Sequence, residues 1–233
     1  RGIWSDGMLC AEDEIGLGAG HDGIIVLKDN CQAGDMVRDY FNIKKDFIFD
    51  IGLTPNRSDA LGHHGVCRDL YSYLKHRGEN VTFSLPTTSV YKSNSSNIEI
   101  KLNVDSKQLC QKYLGVIINN VTVATSPIWL QLKLMSIGLK PVNNVVDIIN
   151  FVLFETGNPL HAFDCDKISN SEIIVRNAKD QEAFTTLDSR KINLSTEDLV
   201  ISDDQGPLCL AGVIGGLNSG VSLKTKNKNN IKI

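Results

Sequence analysis

One short segment, residues 141–164, constrains this chain more than any other part of it. It joins two internal asparagines and an apolar run to Gly157-Asn158-Pro159, and His161 follows. Gly, Asn and Pro close together predict a turn, because glycine and asparagine tolerate positive φ and proline fixes its own φ. The segment therefore presents His161 at the exit of a turn, with Asn150 upstream as an amide donor and acceptor. We predict a polar pocket for a ligand that carries hydroxyl groups.

Composition describes an ordinary globular chain with room for one large or two modest domains. The 233 residues are 42% hydrophobic and 22% charged, with 27 acidic and 24 basic side chains and a net charge of −3. Because there is no basic excess, DNA is not an expected partner, and an RNA contact would need a local patch or a partner subunit.

The cysteines and the apolar runs indicate where in the cell the protein is expected. Six scattered cysteines without CxxC spacing favour reduced thiols of a cytoplasmic protein over a zinc site or a disulfide framework. No apolar run approaches the roughly 18–20 residues that span a bilayer, so no membrane partner is expected. The first residues have neither an initiator methionine nor a signal-peptide pattern, and we expect a chain cut from a longer one.

Turn and strand signals dominate the first third of the chain. Glycines separate short apolar runs such as Gly23–Leu27, which predicts turns and short strands. A further strand is predicted at Phe47–Leu53. A helix follows, with Ser58 as its N-cap and Gly78 as the residue that stops it.

The remainder alternates strands with one clear helix. A polar linker is predicted at residues 84–98, and β-branched residues predict strands within Tyr113–Val123. A helix is predicted from a cap at Ser126 to Gly138. Three further strands, the last two joined by a hairpin turn at 203–206, are predicted at residues 172–176, 198–202 and 207–216. Mixed strands with a few helices indicate an α+β fold.

Several residue groups allow a functional or a merely structural interpretation. The glycines of 16–20 lack the preceding strand and following helix of a phosphate loop. His161, Asp164 and Asp166 offer too few ligands for a metal site. The adjacent pair His63-His64 points apart on a helix and is a poor metal site.

For the other candidates both interpretations stay open. His161 alone fits a turn histidine that satisfies backbone groups, or an imidazole that orients a substrate hydroxyl or a water. The small residues 210–216 indicate either tight packing or a pocket wall where backbone N–H groups approach a ligand. Arg57 fits a structural salt bridge better than a phosphate contact.

Several stretches together resemble one family, the beta chains of phenylalanine–tRNA ligases. Ser5–Gly18 resembles the end of their tRNA-binding OB-type module, and Phe49–Gly62 the strand, turn and helix that follow. Lys140–Asp147, His161–Asp164 and Pro207–Gly216 resemble their B3/B4 domain. The resemblance divides the chain into the end of an OB-type module (1–46), a small helical connector (47–90), a mixed-sheet B3/B4 domain (91–227) and a frayed tail (228–233).

The resemblance also implies partners and chemistry. The family works as an α2β2 enzyme that attaches phenylalanine to tRNA(Phe) with ATP and Mg²⁺, and activation belongs to the alpha subunit. This part of the beta chain is expected to bind no cofactor itself. The B3/B4 domain of the family hydrolyses tRNA that is mischarged with tyrosine, which fits the physical limit that an apolar pocket rejects an added hydroxyl poorly.

Carried over by position, five residues form the expected editing site. His161 matches a histidine near the substrate ribose and ester, and Asn150 matches the pocket wall beside it. Ala211 and Gly212 match small residues that admit the tyrosine ring. Ile149 stands where the family usually has threonine.

Two departures imply impaired hydrolysis. Ile149 removes a hydroxyl and adds bulk, and residues 228–233 appear in place of a strand that carries a glutamate in the family. The rival hypothesis is a non-catalytic module that supports the alpha subunit and tRNA. A third hypothesis is that the chain has no activity in this form.

Overall fold

The computed structural model describes residues 2–18, 20–27, 30–86 and 100–221, and the backbone of Ile231–Lys232. The helices are α1 Val37–Tyr40, α2 His63–His76, α3 Ile128–Ser136 and α4 Asn144–Thr156. The strands are β1 Lys101–Val104, β2 Ile117–Ile118, β3 Phe163–Asp164, β4 Glu172–Asn177, β5 Glu182–Thr185, β6 Lys191–Leu194, β7 Leu199–Ser202, β8 Pro207–Leu210, β9 Ile214–Gly215 and β10 Ile231–Lys232.

The chain forms two compact units. The first combines Arg1–Ile51 with Pro127–Lys140, and the second combines Gly52–Ser126 with Pro141–Ile233. The predicted boundaries at residues 46, 90 and 227 stay predictions. The predicted linker lies partly outside the described residues, at 87–98. In the parts of the chain that the structure describes, no helix is long and apolar enough to cross a membrane.

The first unit is helical and irregular. No strand forms in the described residues of this unit, so the strand prediction at Gly23–Leu27 is wrong. The strand predicted at Phe47–Leu53 is wrong as well, both in its Phe47–Ile51 part and at Gly52 and Leu53, which belong to the second unit. At the latter, Phe47, Ile48 and Phe49 are 66–79% exposed, and an extended segment without a paired neighbour is not a stable strand.

The N-cap of helix α3 lies one residue after the predicted cap. Its N-cap is Pro127 and makes no side-chain cap, so the prediction of Ser126 as the cap is wrong. The Ser126 hydroxyl instead donates to Asp147. The predicted end is confirmed, because Gly138 adopts a φ of +83° just beyond the helix.

A five-stranded sheet of order β1-β4-β7-β8-β9 is the centre of the second unit. Strand β1 runs parallel to β4, and the other pairs are antiparallel. Neighbouring residues of β7 serve opposite faces: Val200 packs with Phe184 and Leu194, and Ile201 packs with Phe163 and Ile173. This alternation is the period of a strand that is buried on both faces.

The α+β class is confirmed, and so are the strands predicted at 172–176 and 198–202. The single strand predicted at 207–216 is wrong in part, because Pro207–Leu210 and Ile214–Gly215 form two antiparallel strands, β8 and β9, with a turn between them. The hairpin turn is confirmed by the Asp203 N–H, which donates to the Gly206 carbonyl over 3.1 Å. Of the predicted strands within Tyr113–Val123, only β2 forms.

Two smaller sheets complete this unit. Strands β5 and β6 form a hairpin, and β10 lies between β2 and β3, antiparallel to both. The predicted frayed tail is therefore wrong at Ile231–Lys232. Residues 228–233 contain no acidic residue, so the impairment expected from the missing glutamate stays a prediction.

The apolar run of the segment 141–164 is helix α4, and buried polar groups fix its first turn. The Asn143 side chain is 1% exposed and accepts from the N–H groups of Val145 and Val146 over 3.1 and 3.0 Å. Asp147, fully buried, accepts from the Ser126 hydroxyl and from the Val142 N–H over 2.9 Å. These bonds satisfy donors that a helix start otherwise leaves free.

The other end of α4 meets the start of α2. The predicted start of α2 at Ser58 is wrong: a short 3₁₀ turn occupies Ser58–Ala60, and the N-cap of α2 is Gly62. A Cβ on Gly62 would lie 2.5 Å from the Gly157 nitrogen, so only glycine fits there. Gly157 ends α4 with a φ of +79°, which confirms the predicted turn. Gly78, with a φ of +81°, is confirmed as the stop of α2.

We predict that Asp147→Asn lowers the free energy of unfolding by about 1–3 kcal/mol, because the amide leaves buried hydrogen bonds poorly satisfied. Urea unfolding of the purified chain measures this loss. Asp204→Asn is the control, since Asp204 is an exposed carboxylate in the β7–β8 turn, and its midpoint should move much less. Equal shifts in both variants would contradict a special role for the buried carboxylate.

Candidate functional site

His161 is the residue around which the candidate site is built. It follows the end of α4 and comes directly before the buried residues Ala162 and Phe163. Its Nε2 atom is enclosed and has no hydrogen-bond partner among the residues that the structure describes. This nitrogen therefore satisfies no backbone group of the described residues. An enclosed, unpaired ring nitrogen costs free energy in the unliganded fold, about 1–3 kcal/mol, and such costs concentrate at functional sites.

The imidazole ring contacts a glycine and an aromatic ring. A Cβ on Gly215 would lie 2.6 Å from His161 Cε1 and 3.1 Å from Nε2. The Phe163 ring meets the imidazole edge to face, with the centroids 4.5 Å apart. The close approach is possible because Gly215 has no side chain.

Burial lowers the pKa of His161 below its ordinary value of 6.5. No charged group takes part in this shift; the cause is the loss of water around the charged form. His161 is therefore a neutral imidazole at pH 7, with one nitrogen that carries a proton and one that accepts.

Ile149 and Asn150 lie next to each other on α4. Ile149 is 8% exposed and belongs to an apolar cluster with Val123, Val145 and Ala162, the neighbour of His161. Asn150 is half-buried, and among the described residues no hydrogen bond joins its side chain to His161. The structure thus brings Ile149 to the residue that follows His161.

Ala211 and Gly212 occupy different surroundings. Ala211 is half-buried against the cluster that contains Phe163. Gly212 lies at the exposed turn between β8 and β9 with a φ of +72°, and no atom lies within 4 Å of where its Cβ would be. In this small-residue run the close approach to His161 is made by Gly215. The run itself signalled a close approach, but its residue types could not tell which glycine makes it.

A cavity of about 190 Å³ lies beside the next glycine, Gly216. Its walls come from β5, β8 and the loop after β9, and Phe184, Leu208 and Ser219 are among the residues that line it. A Cβ on Gly216 would lie 2.6 Å from the Leu208 carbonyl oxygen. Gly216 therefore packs closely against the backbone of β8, and Gly215 packs closely against His161.

Asp164 and Asp166 belong to a turn. The buried Asp164 carboxylate accepts from the Asp166 N–H over 3.2 Å and caps a 3₁₀ turn at Cys165–Lys167. Across the described ranges, no group of three or more His, Cys, Asp or Glu side chains could hold a metal ion.

The glycine run of 16–20 does not fit a phosphate. The Glu12 carboxylate packs against it, with Oε2 lying 2.5 Å from where a Cβ of Gly18 would be and 3.1 Å from one on Gly20. A carboxylate in this place repels an anion. The residues of this run therefore do not fit the phosphates of ATP.

Arg57 belongs to an ion-pair network, which confirms the structural interpretation. Its guanidinium contacts Asp59 at 2.9 Å and Asp69 at 2.5 Å, and Arg68 contacts Asp59 at 2.6 Å. The hydrogen bond from Arg57 lowers the pKa of Asp59.

In the pair His63-His64, His63 donates from Nδ1 to the Phe154 carbonyl over 2.8 Å.

Relatives support the resemblance over nearly the whole chain. Phenylalanine–tRNA ligase beta subunits are 45% identical over 220 residues in Bacteroides fragilis and 46% identical over 220 residues in Bacteroides thetaiotaomicron, each covering 94% of this chain and 27% of the relative. The beta subunit of Fusobacterium nucleatum is 40% identical over 227 residues, covering 97% of this chain and 28% of the relative. The chain thus spans about a quarter of the length of these relatives.

A solved N-terminal fragment of the phenylalanyl-tRNA synthetase beta subunit from Pyrococcus horikoshii is also similar. It is 20% identical with a TM-score of 0.38, covering 76% of this chain and 52% of that one. This likeness is too low to decide any feature of the site.

The family model of the B3/4 domain matches residues 109–228. The matched range contains α3, α4, strands β2 to β9, His161 and the glycine pair that follows β8. Because the match covers just over half of the 233 residues, the chain belongs to the B3/4 domain family.

Proposed function

We propose that this chain is part of the beta subunit of a phenylalanine–tRNA ligase. Such an enzyme attaches phenylalanine to tRNA(Phe) with ATP and Mg²⁺, as an α2β2 assembly in the cytoplasm. The proposal is supported by 40–46% identity to beta subunits over almost the whole chain. We assign activation to the alpha subunit, following the family that the chain resembles.

We further propose that the chain's own reaction is hydrolysis of the ester in tRNA(Phe) mischarged with tyrosine. The observation that carries this proposal is the enclosed, unpaired Nε2 of His161. In a domain of this family, a neutral imidazole held in a fixed place suits a site that meets ribose hydroxyls and a water. Asn150, Ile149, Ala211 and Gly212 are the other proposed site residues.

The neutral imidazole would act on water. Because Nε2 is enclosed, the nitrogen assigned to this role is Nδ1, which accepts a hydrogen bond from a water and orients the water oxygen toward the carbonyl carbon of the ester. As the water adds, its proton passes to Nδ1, and the carbonyl oxygen becomes the oxyanion of a tetrahedral intermediate. Backbone N–H groups of the small-residue run would stabilise that charge. The C–O bond to the ribose then breaks, and the ribose oxygen takes the proton back from Nδ1 as it leaves.

A covalent nucleophile is not part of this proposal. The nearest candidate along the sheet is Cys209, which pairs with Gly215 across β8 and β9. Burial raises the pKa of the Cys209 thiol to about 11, so it stays protonated and unreactive at pH 7. Direct attack by water remains the simplest route.

A second candidate function has its own support. Ile149 is buried in an apolar cluster where the resemblance expects a hydroxyl, so this wall of the pocket packs as core. A non-catalytic module that supports the alpha subunit and tRNA would have the same fold. The two functions differ in one result: whether tyrosine is released from Tyr-tRNA(Phe).

We predict that the purified chain releases tyrosine from Tyr-tRNA(Phe) and that His161→Ala lowers the rate about 10²-fold or more, since positioned proton acceptors contribute on that scale. His76→Ala is the matched control, because His76 is an exposed histidine in the last turn of α2. Its rate should equal that of the unchanged chain. No release from a folded chain, or equal rates in all three proteins, would favour the non-catalytic module.

The lowered pKa of His161 predicts a pH dependence with a definite sign. Because the folded pKa lies below 6.5, the unfolded chain binds more protons in the window between the two values. Stability from the neutral imidazole is thus complete above pH 6.5 and is lost as pH falls through the folded pKa. Urea midpoints between pH 7 and 5 should fall more steeply for the unchanged chain than for His161→Gln. Parallel slopes would contradict a buried neutral imidazole.

Restoring a hydroxyl at position 149 tests the pocket wall. We predict that Ile149→Thr raises the rate of tyrosine release, although a hydroxyl in an apolar cluster lowers stability. Val145→Thr puts the same hydroxyl into the same cluster and should give no gain. A gain in both variants, or in neither, would argue that residue 149 does not line the substrate pocket.

A further inference from the structure

We infer that Gly215 is the positioning residue for His161: its missing side chain forms a seat that holds the imidazole in one place. The seat is defined here as Gly215 and Phe163, which both contact the ring. This inference rests on the proposed hydrolysis for its catalytic consequence, but the position of the ring can be measured without any substrate.

Gly215 and His161 lie too close together for a side chain at position 215. A Cβ on Gly215 would lie 2.6 Å from His161 Cε1, 3.1 Å from Nε2 and 3.6 Å from Nδ1. Real Cβ atoms do not approach other heavy atoms to 2.6 Å, so the ring and any side chain at position 215 exclude each other. The ring edge with Cε1 and Nε2 faces the glycine, and Nε2 is the enclosed atom.

The seat is rigid on the glycine side. Gly215 lies in β9, opposite Cys209 of β8, and its carbonyl accepts from the Leu187 N–H over 2.9 Å. The next residue, Gly216, donates its N–H to the Leu208 carbonyl over 2.8 Å. The backbone at position 215 is therefore held from both neighbouring segments and cannot move away from the ring.

The aromatic residue of the seat is also fixed. Phe163 is 1% exposed in the main apolar cluster, and its ring and the imidazole meet edge to face with their centroids 4.5 Å apart. Its backbone pairs with β10 and with Gly220. A side chain clamped by two rigid elements keeps one orientation, which is the requirement for a proton acceptor that must meet a water in line.

The two neighbouring glycines separate positioning from stability. At Gly215 an added methyl group meets a side chain, which can swing away. At Gly216 it meets the Leu208 carbonyl oxygen at 2.6 Å, which is backbone and cannot yield. Gly215→Ala should therefore displace His161 at little cost in stability, and Gly216→Ala should lower stability.

The experiment is a pH titration by NMR of the chain labelled at histidine, together with tyrosine release from Tyr-tRNA(Phe). In Gly215→Ala we expect the His161 ring signals to move and its pKa to return toward 6.5, with kcat lowered about 10²-fold and KM nearly unchanged. Gly206→Ala is the control, and in this variant the titration of His161 should stay as in the unchanged chain. Gly206 has no atom within 4 Å of where its Cβ would be, so this control keeps the fold.

A double variant checks that the two residues act as one. With His161→Ala present, Gly215→Ala should cause no further loss of rate, because its target is gone. An unchanged His161 titration in Gly215→Ala would overturn the inference, and so would an equal displacement in Gly206→Ala. If the unchanged chain releases no tyrosine, the proposed hydrolysis fails, and the titration alone decides whether Gly215 seats His161.

Discussion

The buried polar start of α4 is the interaction on which the placement of the site depends. Asn143 caps the helix, and the fully buried Asp147 holds Ser126 and the Val142 N–H at its first turn. Because the start of α4 is fixed, Gly157 at its other end packs against the start of α2, and the chain then continues to His161. Buried hydrogen-bonded carboxylates favour one arrangement over others, since any other arrangement leaves them unsatisfied.

The site then uses two opposite kinds of packing. On the α4 side, Ile149 and Ala162 pack as ordinary apolar core. On the β9 side, Gly215 permits a contact that no other residue allows, and the imidazole fills the space. The same burial that encloses Nε2 keeps the ring neutral, so position and protonation state have one physical cause. A neutral, enclosed imidazole suits proton acceptance from a water better than binding of a phosphate.

The sequence predicted the parts of this fold that depend on local chemistry. The turn at Gly157, the hairpin turn at 203–206 and strands β4 and β7 of the central sheet follow from glycine, turn residues and β-branched runs. The strand predicted at Phe47–Leu53 failed because a strand depends on a partner, which composition does not reveal. Ser126 was predicted as a helix cap, but its hydroxyl serves Asp147, a residue 21 positions later.

At the site, His161 was predicted as a functional residue from the turn before it. Its contacts with Gly215 and Phe163 were not predicted. Which glycine of 212, 215 and 216 approaches the ring depends on the register of β8 and β9, and one residue of slip would change the answer. The most direct test of the account is binding of a non-hydrolysable, amide-linked tyrosyl-adenosine, followed through the ring signals of the five histidines. The account predicts that the His161 signals move and the other four do not. Binding that leaves His161 unmoved, or no binding by a folded chain, would contradict it.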